Sequence, residues 1–282
     1  MNQTLWKKIA LALLVFTGAA SAQMGQKLES KTVDFSRGQW VDLSHTLESG
    51  MPRYPGMGSF EFTMEFEGNL PSGEYMSLGR ISVHEHIGTH VDSPLHFKRG
   101  MAGTSDISLD KLTGFAAVID VREGAKDRAY QITVEDVKRW EAKNRVSVND
   151  RVVIFYTGYS NQWGNHKAYF GTPVQSAEGQ SAVVFPSISP DLAKWLIANR
   201  KIKSLGLDVS STDSPHLPTH EKSTHDVHVQ MAGAGIPTFE NVANLKALEG
   251  AWSSAYVVAL PVKTRGGTGG PVRIAAFVPS KR

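Results

Sequence analysis

The stretch His84-Glu85-His86-Ile87-Gly88-Thr89-His90-Val91-Asp92-Ser93-Pro94-Leu95-His96-Phe97 sets four histidines and an aspartate in one short segment. A β-branched run predicts a strand over Arg80 to His84, so His86 leaves a strand end. Gly88 permits a sharp turn of the backbone. Beyond it, His90 and Asp92 stand two apart, which in an extended chain points both side chains to the same side. Two imidazoles and a carboxylate thus converge, with positions left open for water. Such a donor set suits a catalytic Zn²⁺, Mn²⁺ or Fe²⁺ ion better than a closed structural site, which is normally rich in cysteine. Pro94 favours an extended Ser93, which can hold His96 near the ion without making it a ligand, and a histidine beside a metal-bound water is a natural proton carrier. A single histidine is more often a hydrogen-bonded core group or a solvated turn, and the spacing of three with an aspartate is what favours metal here.

The remaining histidines strengthen that reading. Of ten in the chain, four lie between 84 and 96 and four more at His216, His220, His225 and His228. Two such clusters predict one site assembled from two distant segments. Around the second cluster stand Asp208, Asp213, Asp226 and, further on, Glu240. Spacing alone does not choose ligands among them, and a surface histidine tract with weak metal affinity accounts for some equally well.

Outward from these clusters, strand-like runs recur at Ala116 to Val121, Arg151 to Tyr156, Lys203 to Val209, Ala255 to Pro261 and Val272 to Val278. One helix opens at Thr133 as N-cap, with Glu135 and Asp136 in its first turn. Another opens at Ser189-Pro190, a cap followed by proline at the first helical position. The alternation predicts a single α/β domain over 38–282, a mixed β-sheet with packed helices, its core closed by the late strands. The stretch from Gly158 to Phe185, rich in Gly, Asn, Gln and Ser, is expected to be an insertion or loop region.

At the other end, Lys7-Lys8, an apolar run from Ile9 to Phe16 and the exit Ala20-Ser21-Ala22 read as a secretory signal peptide over 1–22, followed by a flexible lead-in over 23–37. The apolar run is too short for a permanent membrane anchor. A periplasmic or secreted protein is therefore expected, with no membrane association after cleavage. Loss of Lys7 and Lys8 takes the net charge from +3 to +1, which removes any electrostatic case for nucleic acid. Cysteine is absent, so disulfides and thiol chemistry are excluded and any metal must be held by nitrogen and oxygen.

The pattern His86-x-Gly88-Thr89-His90-x-Asp92-x-Pro94-x-His96-Phe97 resembles the cyclase-like metal-dependent hydrolases, which include bacterial kynurenine formamidase (arylformamidase) and isatin hydrolase. The likeness continues through Val41-Asp42-Leu43-Ser44, Tyr54-Pro55-Gly56, Thr157-Gly158-Tyr159-Ser160 and Leu205-Gly206-Leu207-Asp208. It ends at His228 and, twelve residues later, Glu240. The resemblance implies a swivelling β/β/α fold and a homo-oligomer. It implies that His86, His90 and Asp92 bind one metal, that Asp92 bridges to a second, and that His228 and Glu240 complete the centre, with Zn or Mn in one or two copies. It gives His96 the proton transfer, and Tyr54 the place of an aromatic residue, usually tryptophan, against the substrate ring. The leader and the residues from Gly158 to Phe185 depart from the shorter cytosolic formamidases.

The implied reaction is hydrolysis of a small aryl amide, N-formylkynurenine to kynurenine and formate, by metal-activated water. Cyclic amide or lactone opening of the isatin hydrolase type is the alternative within the same chemistry. A non-catalytic periplasmic metal-binding protein is the alternative outside it, and it would turn over no amide or ester.

Overall fold

The computed structural model describes residues 32–174, 176–214 and 225–280. The expected signal peptide lies outside them, as do most of the lead-in, His216 and His220. From Val33 onward the chain forms one compact unit.

Its strands are β1 (Gly38–Asp42), β2 (Glu61–Asn69), β3 (Tyr75–Ser82), β4 (His90–Asp92), β5 (Thr113–Asp120), β6 (Gln131–Ile132), β7 (Val152–Tyr156), β8 (Ser187–Ile188), β9 (Ser204–Leu207), β10 (Thr238–Glu240), β11 (Tyr256–Pro261) and β12 (Gly269–Pro279). The helices are α1 (Leu109–Leu112), α2 (Val134–Asn144), α3 (His166–Phe170), α4 (Pro190–Asn199) and α5 (Asp226–Gly233). The main sheet runs β1-β12-β11-β5-β7-β9-β10-β4, and an additional pairing of β12 with β4 closes it into a barrel. Strands β5, β7, β9 and β10 are parallel neighbours, whereas β4, β11 and β12 run antiparallel to theirs, so the sheet is mixed as expected.

Alternation along β5 and β7 divides the core in two. Ala116, Val118, Val152 and Ile154 face a cluster inside the barrel, with Val257, Ile274 and Phe239. Ala117, Ile119, Val153 and Phe155 face the opposite way, into a cluster with residues of α2 and α4 such as Val137, Trp140, Leu192 and Leu196. Both faces are dry, which is why these strands read as continuous apolar runs rather than alternating ones. The two foreseen helices start where their caps lie. Thr133 and Asp136 form a capping box at α2, and the Ser189 hydroxyl accepts the Leu192 N–H at α4.

Several elements differ from the sequence reading, the following among them. The strand expected over 80–84 spans Tyr75–Ser82 and pairs with β2 in a separate two-stranded sheet. Helix α5 had not been anticipated. The 158–185 region is not a bare loop, because Tyr169, Phe170, Val183 and Phe185 are buried and join the helix-side core. Its polar composition masked these four anchors. The carboxylate of Asp208, fully buried, ties the region's start down by accepting the Thr157 N–H at 2.7 Å and the Gly158 N–H at 2.9 Å. Among the described residues, no helix is long and apolar enough to cross a membrane.

Candidate metal centre

Strand β4 is the floor of the site. It pairs with β10 so that His90 lies opposite Glu240, and with β12 so that Asp92 lies opposite Gly269. His90 and Asp92 are therefore on one face, with Glu240 carried beside them by the neighbouring strand. Before β4 the chain turns at Gly88, whose φ is +64°, a conformation that penalises any residue with a Cβ. The turn brings His86 back over β12, where a Cβ on Gly269 would stand 2.4 Å from the His86 ring. Glycine at 269 is thus required for the imidazole to lie there.

From the far side, α5 delivers His228 in its first turn. Asp213 fixes it: one carboxylate oxygen accepts the Val227 N–H at 3.0 Å, and the other takes the His228 backbone N–H at 3.0 Å and its ring Nδ1 at 2.6 Å. With Nδ1 engaged, Nε2 faces Asp92 Oδ2 at 3.2 Å and Glu240 Oε1 at 3.1 Å. His90 is oriented in the same manner. Its Nδ1 meets the Gly88 carbonyl at 2.9 Å and so carries a proton, leaving Nε2 3.3 Å from Asp92 Oδ1 and 3.5 Å from Glu240 Oε2. His86 contacts Asp92 Oδ1 through Nδ1 at 2.7 Å and the Thr268 hydroxyl through Nε2 at 3.0 Å. Thr268 is itself held by Glu85, which accepts its hydroxyl at 2.6 Å.

The donor set fits a divalent cation. Nitrogen and oxygen ligands at about 2.0–2.2 Å around a four-coordinate ion lie roughly 3.3–3.6 Å from one another. The contacts that His90 and His228 make with Asp92 and Glu240 run from 3.1 to 3.5 Å. Two groups of side chains are compact enough to hold an ion, His86 with Asp92 and His96, and His90 with Asp92 and Glu240, each with donor atoms within 4.8 Å of one another. Asp92 belongs to both. His228 faces the second group through the contacts already given.

The protonation pattern follows from burial and pairing. Burial raises the Asp92 carboxyl, but hydrogen bonds to His228, His86 and His90 overcome it and hold the group well below the usual carboxylate range. Burial pulls His228 down, while Asp213, Asp92 and Glu240 outweigh it and hold the ring well above the ordinary histidine value. Glu240 is pushed up by burial and by the charge on Asp92. His96 is lowered to about 4, chiefly by burial. Its ring stacks on His86 with centroids 3.9 Å apart.

These groups line one cavity of about 500 Å³, and Tyr54 stands on its wall with Met57, Phe97 and His225. Tyr54 packs edge-on against Phe170, and burial raises its hydroxyl above the ordinary tyrosine value. His225 stacks on Phe97 with centroids 5.0 Å apart. The structure therefore brings His86, His90, Asp92, His96, His228, Glu240 and Tyr54 to one place. Sequence reasoning did not single out Asp213, Thr268, Glu85 or Gly269. Asp213 stood in the acidic company of the second histidine cluster, but nothing in its neighbours marks it as the residue that aims His228.

Residues 41–214 match the Cyclase family model. The chain is 25% identical over 235 residues to kynurenine formamidase from Bacillus mycoides, covering 83% of this chain and 95% of that protein. It is 26% identical over 219 residues to isatin hydrolase from Roseibium aggregatum, covering 73% of this chain and 77% of that protein. Among solved structures, isatin hydrolase A from Ralstonia solanacearum matches with a TM-score of 0.74 at 25% identity, over 85% of this chain and 92% of that one.

Proposed function

The chain belongs to the cyclase family, and from that premise we propose that it is a metal-dependent hydrolase of the arylformamidase type, cleaving the C–N bond of a small aryl amide. The observation that carries the proposal is Asp92, whose two oxygens face three imidazoles, His86 and His90 on one side and His228 on the other. We assign His86, His90, Asp92, His228 and Glu240 to the metal, Zn or Mn, with room for a second ion on the Asp92 bridge. When bound, a divalent ion supplies a Lewis acid that acidifies water and polarises the scissile carbonyl.

The chain's own groups do the rest. His96 is neutral near pH 7 because burial holds its pKa at about 4, so it accepts a proton as water attacks the carbonyl. Once protonated it is a stronger acid than an ordinary imidazolium and gives that proton to the departing nitrogen. Tyr54, Met57 and Phe97 present the apolar wall against which an aryl ring lies. Asp213 and the Gly88 carbonyl keep His228 and His90 in the tautomers that direct Nε2 at the ion.

A cyclic amide or lactone is the second reading, supported by the isatin hydrolases among the relatives. Nothing in the comparisons supports a metal-buffering protein without catalysis. On the same family basis we assign the barrel to the swivelling β/β/α class, and on the leader-like segment 1–22 we place the protein in the periplasm or outside the cell. Purified protein of defined metal content, assayed against N-formylkynurenine, isatin and simple lactones, tests the assignment. Turnover of the formamide above the others is expected. Metal binding with no turnover of any of the three would overturn it.

A further inference from the structure

Asn241 follows Glu240 where β10 ends, and its φ is +53°, a left-handed conformation that asparagine tolerates better than most residues with a Cβ. A regular strand would turn neighbouring side chains to opposite faces. Here both engage one loop: the Glu240 carboxylate lies 3.5 Å from His90 Nε2, and the Asn241 amide Nδ2 donates to the Gly88 carbonyl at 2.7 Å. The same carbonyl takes His90 Nδ1 at 2.9 Å. Asn241 thus holds the peptide behind the imidazole, while Glu240 and Asp92 stand in front of it.

The partners of that amide fix its orientation. A carbonyl only accepts, so the NH₂ group must face Gly88 and Oδ1 must face away. On that side the Tyr169 hydroxyl donates to Oδ1 at 2.7 Å. The Asn241 backbone is held as well, its N–H donating to the Val209 carbonyl at 2.8 Å and its carbonyl accepting the Thr89 hydroxyl at 2.7 Å. Tyr169, Thr89, Asn241 and His90 are all buried, so water does not compete for these bonds. Tyr169 belongs to the 158–185 region, which thereby reaches the loop of His90 through a single amide.

We propose that Asn241 is a positioning residue for His90 and that Tyr169 locks it, so that the 158–185 region helps to set the geometry of the metal centre. The inference rests on the reading of His90 as a metal ligand. Position 244 supplies the contrast. Asn244 has the same φ of +53°, yet its amide donates to the Asp42 carbonyl at 3.2 Å at an exposed site. If the left-handed backbone alone called for asparagine at 241, glycine would replace it at little cost, because glycine adopts positive φ freely. If the amide acts on His90, glycine keeps the backbone and deletes the action.

The test is zinc affinity of the full protein, by competition with a chromophoric chelator, for the wild type, Asn241→Gly, Asn244→Gly and Tyr169→Phe. Asn241→Gly is expected to bind zinc about 10–100-fold more weakly, the usual effect of losing a group that orients a ligand. Tyr169→Phe, which removes one neutral hydrogen bond, is expected to lose about 2–10-fold. Asn244→Gly is expected to bind as the wild type does. Nuclear magnetic resonance of the metal-free protein labelled with ¹⁵N-histidine reads the positioning without any ion. The Nδ1–H signal of His90 should exchange slowly with solvent in the wild type and be broadened or lost in Asn241→Gly. Wild-type affinity in Asn241→Gly, an equal loss in Asn244→Gly, or an unchanged His90 signal would each overturn the inference. Should Asn241→Gly fail to fold, Tyr169→Phe decides, and wild-type affinity there would overturn it. A wild type that binds no zinc or manganese would instead bring down the functional reading, and this inference with it.

Discussion

Replacing Asp213 by asparagine isolates the side chain that both starts α5 and aims His228. The amide oxygen can still accept the Val227 N–H, so the helix start survives. The NH₂ group, however, is set against the His228 backbone N–H and ring Nδ1, which lie 3.0 and 2.6 Å from the present oxygen. Donor faces donor, and the imidazole must turn or change tautomer, taking Nε2 away from Asp92 and Glu240. Losing a partner of this kind typically weakens metal binding about 10–100-fold, or roughly 1.4–2.7 kcal/mol. Competition against a chromophoric chelator measures the affinity directly, and a thermal melt of the metal-free variant shows whether the fold is kept. Wild-type affinity in a folded variant would refute the reasoning, since His228 would then not be a ligand that depends on Asp213.

Other expectations follow from the same geometry. His96→Ala should retain its metal and lose about 10²–10⁴-fold in turnover, the usual contribution of a proton shuttle; an unchanged kcat would remove His96 from the mechanism, and lost metal would make it a ligand. Tyr54→Ala should act mainly on KM if the ring binds ground and transition states alike, which steady-state kinetics will show. Gly269→Ala should depress metal affinity, because the new methyl would meet the His86 ring at 2.4 Å and the Val91 carbonyl at 2.7 Å. His45 stacks on Trp163, and burial lowers its pKa from 6.5 to about 4. The unfolded chain therefore binds this proton more readily between those values, so the stability it gives is full above pH 6.5 and lost as pH falls toward 4. The loss is at most about 3 kcal/mol, and His45→Phe should flatten that limb of a denaturation-versus-pH curve.

How far the sequence could be read depended on how local each signal was. The caps of α2 and α4 are complete within a few residues, at Thr133 to Asp136 and at Ser189 to Leu192, and both helices begin where those residues place them. The strands β5, β7, β11 and β12 are marked by their own β-branched runs. Helix α5 has no comparable mark, because its first N–H groups are held by Asp213, fifteen residues before His228. The end of β3 at Arg80 to Ser82 lies within the run that predicts a strand, but its pairing with β2 rests on cross-strand register.

The candidate site divides in the same way. His86, His90, Asp92 and His96 share one short motif, whose chemistry is plain from spacing. His228 and Glu240 are distinguished from their acidic and histidine neighbours only by family resemblance, since what selects them is the pairing of β10 with β4 and the fold of α5. The Glu85–Thr268 contact spans 183 positions, and no local pattern announces it.

Crystals grown with manganese or zinc, with data collected at that element's absorption edge, would look for the ion where these residues meet. An anomalous peak within ligand distance of His90, Asp92 and Glu240, with or without a second near His86, is the expected outcome. A well-ordered map of the metal-supplied protein with no peak among those side chains would contradict it.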